Sequence, residues 1–100
     1  MKYLKISEIH DRYGIASGDL ETLAREELIE IKRTLDEEPV VSSDDVDKAR
    51  LAMLLMNELE VNLAGAEVAV HMREAMVAMQ RQFGKILEIL IEEIRRAAGR

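Results

Sequence analysis

The side chains of this sequence that could do chemistry are few in kind: two histidines, His10 and His71, and twenty carboxylates. Histidines joined by a further donor could hold a metal ion, and two carboxylates could share acid and base work. Neither arrangement can be read here. Each histidine lacks a second ligand at metal-binding spacing, and a lone histidine on a helix is ordinarily a packed or surface residue. The absence of cysteine removes disulfides, a thiol nucleophile and thiolate metal sites. No Gly-rich phosphate loop, H-E-x-x-H or G-x-S-x-G is present. With twenty carboxylates in 100 residues some fall together by chance, so no dyad stands out. The expectation is a protein that is not an enzyme, with no cofactor and no bound metal.

What remains is a chain built to fold and to bind. Apolar residues make up 48%, yet Tyr3, Tyr13 and Phe83 are the only aromatics. Leu, Ile, Val, Ala and six Met supply the rest, a composition that favours helix over sheet. One hundred residues suit one domain, or a small domain with an appended helix. No run approaches the roughly 18 apolar residues that span a bilayer, and no basic-then-apolar leader ends in small residues. A soluble, cytoplasmic protein with no membrane partner is expected.

Residues 2–6 are extended in character. Ser7 is placed to cap a helix through Tyr13, with Glu8 in its first turn and Ile6, Ile9 and Tyr13 on one face. Gly14 ends that helix and Ile15 plugs the turn. Ser17-Gly18-Asp19 opens a second helix to about Glu27, with Leu20, Leu23 and Leu28 buried. Two short helices about a Gly-containing turn describe a helix-turn-helix. Residues 28–33 alternate as a strand, Asp36-Glu37-Glu38-Pro39 reads as a turn, and Val40-Val41 as a second strand, so a hairpin wing follows.

Ser42-Ser43-Asp44-Asp45 opens the next helix with a Ser-x-x-Asp capping box. Val46, Ala49, Leu51, Met53, Leu54, Met56 and Leu59 supply its apolar surface. Asn62 then caps a new helix that continues from Ala64 to about Ala97. Ala69, Met72, Met76, Met79, Phe83, Ile86 and Leu90 recur on it at alternating spacings of three and four, a heptad seam, and Leu87, Ile91 and Ile94 widen the stripe. Some 33 residues extend roughly 50 Å, whereas a compact domain of this size has a radius of gyration of about 13 Å. The seam therefore calls for a second chain. The three methionines in it could instead form an adaptable groove for apolar ligands, but their heptad spacing favours a dimer core. The expected division is a winged head over 1–61 and a dimerisation helix over 62–100, in a mainly α fold.

This order of elements resembles the MerR-like architecture. More specific are Arg50-Leu51 to Leu54, Glu58-Leu59, and Val61-Asn62-Leu63-Ala64-Gly65-Ala66-Glu67-Val68-Ala69. Together with Ile6-Ser7-Glu8-Ile9, Gly14-Ile15 and Ser17-Gly18-Asp19-Leu20, they are similar to the chaperone-modulator family of the CbpM type, over about residues 3 to 90. Heat-shock repressors of the MerR superfamily, the HspR type, carry a similar Asn-Leu-Ala-Gly turn. The chaperone-modulator resemblance implies a homodimer that binds the J-domain of a DnaJ-like co-chaperone, CbpA, and inhibits its action on Hsp70. The superfamily resemblance implies antiparallel pairing of the long helices. The heat-shock-repressor resemblance implies a DNA-binding transcriptional regulator instead.

Charge separates these two expectations. Residues 1–61 hold 8 Lys/Arg and 15 Asp/Glu, a balance of −7, while residues 62–100 hold 6 and 5, a balance of +1. DNA affinity depends on cations that displace counterions from phosphates, and an acidic head is repelled from them. Lys32 and Arg33 are the only adjacent basic pair on the wing. A basic protein surface would instead be steered toward the head. Glu8, Asp44 and Asp45 have helix-start roles. Asp19 and Glu21 on the second helix, and Glu37 and Glu38 at the wing tip, have less structural reason to be acidic and are the candidates for a partner face.

Overall fold

A computed structural model describes residues 2–99. Its elements are β1 (Tyr3–Lys5), α1 (Ile6–Tyr13), α2 (Ser17–Arg25), β2 (Ile31–Arg33), β3 (Pro39–Ser42), α3 (Ser43–Glu58) and α4 (Leu63–Ala98). The fold is mainly α, with a helix-turn-helix, a small sheet and a long C-terminal helix, as the residue pattern predicts.

The extended segment expected at residues 2–6 joins the wing as a third strand, β1. β3 is central, pairing antiparallel with both β1 and β2. Val41 faces Leu4 on one side and Ile31 on the other, and this row points into the core. Val40, opposite Lys5 and Lys32, lies on the outer face and is nevertheless buried. Long lysine stems can cover an apolar neighbour while their ammonium groups stay in water.

β1 leads directly into α1, so the cap position falls at Lys5 and Ser7 lies inside the first turn. The expected Ser7 cap is thus corrected: Glu8 Oε1 accepts the Lys5 backbone N–H at 3.2 Å. Ile9 is wholly buried, Ile6 packs beside it, and Ile15 fills the turn. Gly14 takes φ 68° and donates its N–H to the His10 carbonyl at 2.9 Å. That conformation is nearly free of strain for glycine alone.

α2 stops at Arg25, two residues before the expected end. Glu27 adopts φ 62°, its N–H donates to Ala24 O, and the Leu28 N–H donates to Leu23 O, each at 3.0 Å. This is a Schellman closure, and Leu23 with Leu28 supplies its apolar clasp in the core. Leu28 and Ile29 are both buried, so they break the alternation expected of a strand, and only Ile31–Arg33 pairs.

α3 is capped by Ser42, whose Oγ accepts the Asp45 N–H at 3.2 Å. The second half of the expected capping box is absent. Asp45 turns its carboxylate to the Glu30 N–H at 2.8 Å and to Lys48 at 3.5 Å, tying the loop before β2 to the start of α3. Val46, Ala49 and Ala52 enter the core, with Leu51, Met53, Leu55 and Met56 packed against it. Leu54 and Leu59, expected in the apolar surface of this helix, are 55% and 66% exposed.

The break between α3 and α4 rests on three residues. Glu60 turns left-handed at φ 53°, and the Leu59 and Val61 N–H groups both reach the Leu55 carbonyl. Asn62 then caps α4 as expected, its Oδ1 accepting the Gly65 N–H at 2.8 Å. Gly65 leaves room for Val61. α4 has 36 residues, which extend about 54 Å. Ala66 and Val70 on its first turns complete the head's core, and the compact units divide after Val70, into residues 1–70 and 71–100. No described helix is long and apolar enough to cross a membrane.

Candidate partner-binding face

The wing tip is a tight hairpin built from backbone and short side chains. Glu37 N–H donates to Thr34 O at 2.9 Å, and Thr34 N–H to Glu38 O at 3.0 Å. Glu37 itself is left-handed at φ 63°. These contacts describe a β-turn over Thr34–Glu37 closed by a left-handed residue, a common three-residue hairpin loop. The Thr34 hydroxyl accepts the Glu38 N–H at 3.2 Å. The turn uses Glu37 only through its backbone, and its carboxylate stays exposed. Glu38 is half-buried and lies 3.5 Å from Lys5 of β1, an open ion pair of small energetic consequence.

Lys32 and Arg33, the adjacent cations of the wing hairpin, are each engaged by the head itself. Arg33 Nη1 donates to the Glu37 carbonyl at 2.9 Å. Lys32 Nζ lies 3.4 Å from the Tyr3 hydroxyl and 5.6 Å from the centre of its ring. The hydrogen bond to Tyr3 holds the Lys32 ammonium above its ordinary pKa, with nearby negative charge acting in the same direction.

Of the two α2 candidates, Glu21 joins the wing in one place. It lines a groove of about 340 Å³ with Ile6, Ser17, Ile31, Arg33 and Pro39. Asp19 is exposed in the first turn of α2, where the helix dipole also favours an anion. The head thus sets Glu21 beside the wing strands and Glu37 and Glu38 at the wing's tip, whereas Asp19, two residues before Glu21 on α2, points to a different side of that helix. Among the described residues no group of three His, Asp or Glu side chains could hold a metal ion, and His10 and His71 are both exposed.

A helix-turn-helix followed by a hairpin and a long helix is the order of the MerR architecture, and the sequence comparison decides the point. Residues 4–87 match the family described as MerR HTH family regulatory protein. The chain belongs to that family. Comparison with curated proteins finds no match.

Within this MerR-family chain, α4 carries the second candidate surface. Ala69 is half-buried. Met72, Met76, Met79, Phe83, Ile86 and Leu90 are between 52% and 67% exposed, and Leu87, Ile91 and Ile94 are exposed beside them. A continuous apolar stripe of this size exceeds what a solitary soluble chain ordinarily leaves in water, and such patches mark interaction surfaces.

One feature of this MerR-family head escaped the residue pattern. The Arg50 guanidinium lies 4.4 Å from the centre of the Tyr13 ring, joining α3 to α1 over a shallow groove shared with Arg12, Ile15, Met53 and Leu54. An Arg–Tyr stack between residues this distant in sequence leaves no periodic trace, so only the fold reveals it.

Proposed function

We propose that this MerR-family protein is a homodimeric adaptor whose acidic head binds the basic J-domain of a DnaJ/CbpA-like co-chaperone and blocks its action on Hsp70. The observation that carries the reading is the wing. Its tip presents Asp36 and Glu37, with Glu38 beside them in an open pair with Lys5, while Lys32 and Arg33, its adjacent cations, are bonded to Tyr3 and to the turn. Phosphates would meet carboxylates where a DNA reader needs free cations. Carboxylates facing Lys and Arg on a protein steer encounter and fix register. Asp19, Glu21, Glu37 and Glu38 are the residues assigned to that contact.

Dimerisation is assigned to Ala69, Met72, Met76, Met79, Phe83, Ile86 and Leu90. Their spacing and exposure suit the a and d positions of a coiled coil. Family membership supports the other reading, a MerR/HspR-like DNA-binding regulator, because the helix-turn-helix is shared by both. The charge on the head favours the adaptor. The test is functional: added to a J-domain co-chaperone with Hsp70 and ATP, the protein should suppress the co-chaperone's stimulation of ATP hydrolysis. Full stimulation at saturating protein would contradict the proposal.

A further inference from the structure

The wing tip holds one side chain that neither the fold nor the charge pattern requires. Leu35 is 104% exposed, whereas the other exposed large apolar side chains among the described residues lie between 37% and 67%. It occupies the second position of the Thr34–Glu37 turn, a position that accepts most residues and favours proline. The turn is closed by backbone groups, the Thr34 hydroxyl and the Arg33 guanidinium, and uses nothing from Leu35.

Its surroundings give that exposure a direction. Asp36, Glu37 and Glu38 follow it directly, so one apolar side chain stands at the tip beside a cluster of carboxylates. An apolar centre bordered by a polar rim is the ordinary anatomy of a protein–protein interface, and a side chain seated in a desolvated pocket at that centre contributes more than the rim around it. The support is already ordered by the hairpin's hydrogen bonds, which lowers the entropy lost on docking. A phosphate backbone is a poor match for this tip, since the carboxylates would approach like charge.

We propose that Leu35 is the anchor of the partner contact, seated in an apolar pocket rimmed by Lys and Arg on a protein surface. Asp36 and Glu37 meet that rim. This inference rests on the adaptor reading, in which the pocket belongs to the J-domain. The two interactions differ in their response to salt: the carboxylate contribution is screened and the apolar one is not.

The experiment titrates the J-domain of a CbpA-type co-chaperone into the intact protein, Leu35→Ser and Leu35→Met, at about 50 and 200 mM salt. Leu35→Ser should weaken binding by about tenfold or more, the scale of withdrawing a leucine from an apolar pocket. The factor should be similar at both salts, Leu35→Met should bind nearly as the parent does, and thermal unfolding should be unchanged in both variants. If Leu35→Ser binds as tightly as the parent, the anchor is overturned and the adaptor reading stands. If the parent does not bind the J-domain, both are overturned together.

Discussion

A Cβ placed on Gly65 would lie 2.7 Å from Cγ1 of Val61, closer than real side chains tolerate. The two residues therefore specify each other across the start of α4, and Asn62, whose Oδ1 holds the Gly65 N–H, fixes the turn between them. Gly65→Ala should destabilise the protein by about 1–2 kcal/mol, the scale of a forced overpacking. Val61→Ala alone should also destabilise, because Val61 packs against the core, but in its background Gly65→Ala should add little, because the obstructing methyl is gone. Denaturant unfolding of the two single variants and the double variant checks the coupling; strict additivity would refute the contact.

Glu27 ends α2 in a conformation that suits glycine. Replacing it removes roughly 1–2 kcal/mol of left-handed strain and gives back about 0.5–1 kcal/mol through a freer unfolded chain. Glu27→Gly should therefore stabilise the head by about 0.5 kcal/mol, seen as a rise of a few degrees in Tm. A fall in Tm would mean that the Glu27 side chain has a structural role its exposure does not suggest.

These two positions also explain what the residue pattern could and could not say. Gly14 and Asn62 advertise their turns, and the elements on either side of them are where the pattern puts them. Glu27, Glu37 and Glu60 adopt the same left-handed backbone without glycine or asparagine, so the end of α2 is placed two residues late. Asp45 satisfies a capping-box pattern, yet its carboxylate serves Glu30, a partner fifteen residues away that no local rule names. The extended character of residues 2–6 is legible and β1 forms within them, but its pairing is hidden for the same reason: the three residues join the sheet only because the chain returns with β3. Leu54 and Leu59 are apolar by type, but Leu54 faces away from the core on α3 and Leu59 lies just past the end of that helix. For the candidate face, charge was legible in the sequence. That Lys32 and Arg33 are turned to Tyr3 and the hairpin was not, because both bonds depend on the folded wing.

The seam on α4 makes a quantitative demand on assembly. Met76→Glu would bury an unpaired carboxylate in each arm of the proposed dimer, at several kcal/mol or more. Sedimentation should show the parent as a dimer and Met76→Glu at half its mass, with the helix content of the head retained. An unchanged mass would remove Met76 from the interface.

Glu37 and Glu38 can be reversed with little structural penalty. The turn uses the backbone of Glu37, and Glu38 gives up only its half-exposed pair with Lys5. The Glu37→Lys, Glu38→Lys variant should associate with a J-domain at least several-fold more slowly, and the deficit should shrink as salt rises. Stopped-flow association rates check this. Rates equal to the parent's at low salt would take both residues out of the contact.

The most direct test of the account titrates two ligands against the same preparation, an isolated J-domain of a CbpA-type co-chaperone and a random-sequence DNA duplex, at about 50 and 200 mM salt. The acidic head predicts saturable binding of the J-domain, weakened modestly by salt, and no appreciable binding of the duplex at either concentration. Tight duplex binding that collapses between the two salts, with no J-domain binding, would contradict it.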